Sequence, residues 1–126
     1  MMIKNIFLVG IGGFLGSIAR YSISFLNLSV NFFSIPLGTL LVNITGSLII
    51  GFLTGVSAKS ALLTSEWRLF LMVGICGGFT TFSSFTNENL ILIHNGQIVT
   101  VFIYTALSII LGFLAVYLGY SITNYL

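Results

Sequence analysis

Charge is what this chain has least of. Of its 126 residues only Lys4, Arg20, Lys59, Glu66, Arg68 and Glu88 carry a formal charge, 5% of the sequence, where soluble globular domains carry about 25%. So few charges cannot cover the surface of an ordinary water-soluble fold, which excludes one. The four basic residues stand singly and leave a net charge of only +2, so no basic run offers itself to nucleic acid. A single cysteine, Cys76, excludes an intrachain disulfide. The single histidine, His94, sits beside a turn with no catalytic partner in view, and no phosphate-binding glycine loop is present. Enzyme chemistry therefore finds no support. What remains is apolar: 57% hydrophobic residues, 14 glycines and 12 phenylalanines, with a mean hydropathy of +1.16.

The spacing of the charges divides the chain. Between Arg20 and Lys59 lie 38 residues without one, and residues 89–126 form another such stretch. A membrane-spanning helix needs roughly 20 predominantly apolar residues, so each stretch holds a span and a connection. The pattern predicts an all-α membrane protein of four transmembrane helices, over about 3–26, 37–56, 67–93 and 98–122, in one transmembrane domain that occupies the chain. The N-terminal run resembles a signal peptide but lacks a small-residue cleavage site, and Arg20 and Tyr21 stand where one belongs. It reads as a retained helix.

The connections are short. Asn27–Ser34 is polar, and Pro36 suits the first turn of the second helix, where its missing N–H leaves no partner unsatisfied. Ser57–Ser65 contains Lys59 and precedes Trp67, an interfacial anchor type. Asn95-Gly96 is a turn signal. Four spans put both termini on one side, which collects Lys4, Lys59 and Arg68 against Arg20 toward the other. That bias favours a cytoplasmic N-terminus and leaves orientation open. Pairs four apart (Gly12 and Gly16, Gly51 and Gly55, Gly74 and Gly78) let helix backbones approach closely in lipid, within one subunit or between copies. With three of four helices so equipped, a homo-oligomer is expected.

The third span is unusual. Adjacent glycines and paired threonines, Gly77-Gly78-Phe79-Thr80-Thr81, are poor helix material in mid-span. Two readings stand. One is a helix broken in mid-membrane, allowed where it is buried or lines a wet cavity, whose freed carbonyls suit an alkali cation. The other is a kinked, continuous helix with Ser and Thr bonded back to their own backbone. Polar residues elsewhere form helical stripes: Thr39, Asn43 and Ser47 on the second span, Thr100, Tyr104 and Ser108 on the fourth, Thr81, Ser84 and Glu88 on the third. These are mostly hydroxyl and amide donors with little fixed charge, a lining that assists a small anion without trapping it. Asn43 is either such a donor or interhelical glue worth about 0.6–2 kcal/mol. Phe82 and Phe85 share a face and offer an anion the positive edges of their rings, or are ordinary core. Arg20 either concentrates anions at a pore mouth or extends to the interface.

These segments resemble the Fluc/CrcB family of fluoride channels along the whole chain. The resemblance rests on Gly12-Gly13-Phe14-Leu15-Gly16-Ser17-Ile18-Ala19-Arg20-Tyr21, on Gly38-Thr39-Leu40-Leu41-Val42-Asn43-Ile44-Thr45-Gly46-Ser47, and most strongly on Gly77-Gly78-Phe79-Thr80-Thr81-Phe82-Ser83-Ser84-Phe85. It implies a passive fluoride channel of the cell membrane, assembled as an antiparallel, dual-topology homodimer with two fluoride paths along the subunit interface. It also implies a structural Na+ ion on the dimer axis, held by backbone carbonyls of Gly77 and Thr80. Carried onto this sequence, the pore residues are Asn43, Phe82, Phe85, Ser84, Tyr104, Ser108 and Thr39. Arg20 lies near a vestibule, and Glu88 near the dimer centre or the opposite pore end. Gly112 stands where relatives can carry a serine, which shortens the polar track, and the three-to-one charge bias departs from the balance that dual insertion implies.

Two other classes compete. A small four-helix proton-coupled multidrug exporter needs an in-span carboxylate, and such exporters place a glutamate in the first span, where residues 5–19 have none. A purely structural membrane protein leaves the third span and the polar stripes unexplained.

Overall fold

The computed structural model describes residues 1–29 and 33–126. Of the polar connection 27–34, residues 30–32 lie outside the described residues. Helix α1 (Met2–Ser24) turns into the short α2 (Leu26–Ser29), and α3 (Leu37–Lys59) returns. A third crossing begins with α4 (Ser65–Arg68), widens through a π-helical stretch (Leu69–Cys76), and continues as the three-residue α5 (Gly77–Phe79) and then α6 (Phe82–His94). Helix α7 (Ile98–Ile122) closes the bundle and ends in a 3₁₀ turn (Thr123–Tyr125). Four of these segments, the third counted as Ser65–His94, are long and apolar enough to cross a membrane.

The ends follow local chemistry. Thr64 begins the third crossing by accepting the Trp67 N–H on its side-chain oxygen. Asn95 and Gly96 end it: Gly96 has φ +73°, the left-handed conformation that glycine adopts freely, and the Gln97 N–H returns to the Leu92 carbonyl. Pro36 stands just outside α3 as its N-cap, not in the first turn. The second span runs past Val56 to Lys59, whose ammonium binds the Thr123 carbonyl and Asn124 Oδ1 at 2.8 and 2.7 Å. Cations near the end of a helix complement its exposed carbonyls. Lys4 and Glu66 pair on the same side.

Two helix pairs form the bundle. Helix α1 lies along the first half of the third crossing, with Gly12 and Gly16 facing Gly74, Ile75 and Gly78; α3 lies along α7, with Gly51 facing Val116 and Gly119 facing Leu48. The small-residue stripes are therefore occupied within the chain, and their expected role between copies is not what they do here. Close backbone approach replaces the hydrophobic drive that lipid cannot supply. Outward faces are apolar, as at Phe7, Phe14, Ile110, Phe113 and Leu118. Hydroxyls at Ser22, Ser24 and Thr54 bond back to carbonyls three or four residues earlier, which keeps them satisfied without water. The best-covered side chains include Val42 and Tyr104.

Candidate functional site

The last helical hydrogen bond before a gap in the third crossing runs from the Thr80 N–H to the Cys76 carbonyl at 3.0 Å. Thr80 (φ −77°, ψ 155°) and Thr81 (φ −150°, ψ 120°) are extended, and helix resumes at Phe82. The glycines before and the hydroxyls after make this possible. In lipid each unsatisfied peptide group costs several kcal/mol, so the freed groups need partners. Asn43 supplies two: its Oδ1 accepts the Thr81 N–H at 2.8 Å, and its Nδ2 donates to the Thr81 carbonyl at 3.0 Å. The side-chain amide thus pairs with the backbone as a neighbouring strand would. Thr81 Oγ1 caps α6 by accepting the Ser84 N–H at 3.2 Å.

That arrangement leaves the carbonyls of residues 77–80 without their usual helical donors, those of Gly77 and Thr80 among them. In a continuous helix the Gly77 carbonyl accepts from the Thr81 N–H and the Thr80 carbonyl from the Ser84 N–H. Both N–H groups are turned to side chains, to Asn43 Oδ1 and Thr81 Oγ1. Among the described residues no three His, Cys, Asp or Glu side chains converge, and the freed carbonyls are hard oxygen donors beside the side-chain oxygens of Asn43, Ser47, Thr80 and Thr81. Hard oxygens of this kind suit an alkali ion.

Two cavities flank the Asn43–Thr81 pair. One, of about 310 Å³, is lined by Asn43, Ser47, Gly77, Thr80, Thr81 and Phe82 among others. The second, of about 270 Å³, is lined by Arg20, Asn27, Thr39, Thr81, Ser84 and Glu88. Ser47 also borders a third, of about 260 Å³, with Ser108 and Gly112. The Ser108 hydroxyl and Arg20 Nε are buried with no partner among the described residues.

Glu88 organises the second cavity. Thr39 Oγ1 donates to its Oε1 at 2.5 Å and the Tyr104 hydroxyl to its Oε2 at 2.7 Å. Asn27 Nδ2 lies 3.4 Å from Oε1. Tyr104 is 0% exposed, and its ring meets Phe85 edge-on with centroids 5.1 Å apart. The Phe85 and Phe82 ring centroids lie 5.7 Å apart, and Phe82 is 76% exposed.

The structure thus gathers Arg20, Thr39 and Ser84 at one cavity, and Asn43, Gly77, Thr80 and Phe82 at another. Ser108 faces a third, while Tyr104 turns from the expected polar line toward Glu88. Glu88 shares its cavity with Arg20. Sequence reasoning missed Glu88 as a hub, although its standing as the sole acid within a span was a signal. It also missed Asn27, which no spacing rule connects to a helix starting at Leu37.

The architecture is that of a multi-pass α-helical membrane protein with polar cavities between its spans. The chain belongs to the family described as CrcB-like protein, Camphor Resistance (CrcB), which matches residues 7–120. It is 44% identical over 124 residues to a protein of Azobacteroides pseudotrichonymphae named fluoride-specific ion channel FluC, covering 98% of this chain and 99% of that one. Proteins of the same name from Chlorobium phaeobacteroides (strain DSM 266) and Flavobacterium psychrophilum are 48% and 38% identical, covering 94% and 96% of this chain and 94% and 98% of theirs.

Proposed function

We propose that this chain is a passive, fluoride-selective channel of the cell membrane that lets cytoplasmic fluoride leave and so limits its toxicity. The observation that carries the reading is similarity over nearly the full length of both chains to proteins named fluoride-specific ion channels. A proton-coupled exporter is not favoured by these relatives. Neutral HF crosses a membrane and dissociates in a less acidic cytoplasm, trapping the anion, and a selective pore lets the membrane potential drive it out. The residues fit that task. Thr39, Asn43, Ser84, Tyr104 and Ser108 supply neutral donors, and Arg20 raises anion concentration at the cavity mouth. The edges of Phe82 and Phe85 assist a partly dehydrated anion without holding it as a full cation would. In the conformation described, Asn43 uses one amide hydrogen on Thr81, which leaves its second for the ion.

The working unit in this proposal is an antiparallel, dual-topology homodimer, with the break at Thr80–Thr81 at its centre and a fluoride path along each side of the interface. The exposed Phe82 ring supports a partner subunit there. Carbonyls of Gly77 and Thr80 from both subunits hold one Na+ ion, and their lost helical donors support this assignment. When bound, the ion supplies positive charge that compensates the converging carbonyl dipoles.

Expression in a bacterium lacking its own fluoride export tests this reading. The wild-type chain is expected to restore growth in fluoride, whereas Phe82→Ile and Phe85→Ile, which keep apolar bulk without the ring quadrupole, rescue less at equal membrane abundance. No rescue by the wild type contradicts the proposal, and rescue by both variants equal to that of the wild type contradicts the role of the rings.

A further inference from the structure

Asn27 lies in α2, outside every segment that carries the family resemblance, yet it touches the start of α3 and the Glu88 cluster at once. Its Oδ1 accepts from the Gly38 N–H at 2.6 Å and the Thr39 N–H at 3.3 Å, two donors that the first turn of a helix leaves unpaired. That contact settles which way the amide faces. Its Nδ2 must then point to the other side, where it meets Thr39 Oγ1 at 3.2 Å and Glu88 Oε1 at 3.4 Å.

The direction of the remaining hydrogens follows. Thr39 Oγ1 receives a hydrogen from Asn27, and its own single hydrogen goes to Glu88. Tyr104 gives its hydrogen to the other carboxylate oxygen. Glu88 and two of its donors, Asn27 and Thr39, line the Arg20 cavity. Remove the Asn27 NH₂ group, and the Thr39 hydroxyl loses the donor that sets its direction while the carboxylate loses one of its three donors.

We infer that Asn27 is a positioning residue for the ion path, aiming Thr39 and Glu88 through its NH₂ group while its carbonyl caps α3. The inference rests on the channel reading. The two functions of the amide separate cleanly by substitution. Asn27→Asp keeps the capping acceptor, in a residue type that caps helices as well as Asn, but replaces the donor with an oxygen that faces Glu88.

The test uses the full chain in vesicles, with ¹³C-labelled glutamate and Glu66→Gln as the background, so that Glu88 alone carries the label. Asn27→Asp is expected to melt within a few degrees of its parent, to shift the labelled carboxylate infrared band, and to slow fluoride release about tenfold, the rate equivalent of one charge-assisted hydrogen bond. Asn27→Ser, which removes the NH₂ group and draws back the capping oxygen without adding charge, is expected to shift the band and slow release in the same direction, with a further loss of stability. If the aspartate variant does not fold, an unmoved band in the serine variant overturns the inference. An unmoved band overturns the inference even where flux falls, because a role in capping alone leaves Glu88 untouched. Unchanged release overturns it as well. Failure of the parent chain to release fluoride contradicts the channel reading instead, and the band still reports whether Asn27 orients Glu88.

Discussion

Asn43→Asp is expected to reduce fluoride release from vesicles to near the protein-free background, a fall of about a hundredfold or more. The amide of Asn43 both accepts from the Thr81 N–H and donates to the Thr81 carbonyl. Aspartate keeps the first bond and turns the second into a contact between two acceptors. It also fixes a negative charge on the wall of the cavity shared with Ser47, Thr80 and Phe82. Both changes act on an anion passing there, the first by distorting the extended residues and the second by direct repulsion. If Asn43 serves only to join the second and third spans, the variant loses thermal stability while the folded fraction conducts normally. Flux per folded protein, measured beside the melting temperature in detergent, separates the two.

Gly16→Ala is expected to prevent assembly of the bundle, and Gly10→Ala is expected to leave it intact. A Cβ on Gly16 runs into the Ile75 carbonyl oxygen and comes within 2.8 Å of the Phe79 nitrogen. Both obstacles are backbone and cannot turn aside like a side chain. Ordinary overpacking costs about 1–3 kcal/mol, and relief here requires α1 to move away from the third crossing along its length. At Gly10 nothing lies within 4 Å of the added carbon, so alanine removes only the glycine penalty, a gain of about 0.5–1 kcal/mol. Thermal melting of the two purified variants checks the pair. Equal stability of both contradicts the assigned packing.

Much of this fold was legible in the chain itself. Runs of 38 residues without charge can hardly be anything but spans with short connections, and the four helices follow them. Thr81, Ser84 and Glu88 share a cavity, as the helical spacing that put them on one face led one to expect. Other features were hidden because they depend on which helix lies beside which. The glycine stripes announce close approach but not its partner, and both partners turned out to be in the same chain. Asn43 looked like a choice between glue and donor, whereas its geometry gives each half of the amide its own bond to Thr81. Asn27 gave no sign at all, since a cap supplied from another element leaves no local pattern.

The most direct measurement is fluoride release from vesicles loaded with potassium fluoride and containing the purified wild-type chain. A passive anion channel predicts rapid release only after valinomycin lets potassium follow, with no proton gradient imposed and with chloride retained under the same conditions. Release no faster than from protein-free vesicles, release that requires a proton gradient in place of the ionophore, or equal release of chloride contradicts the account.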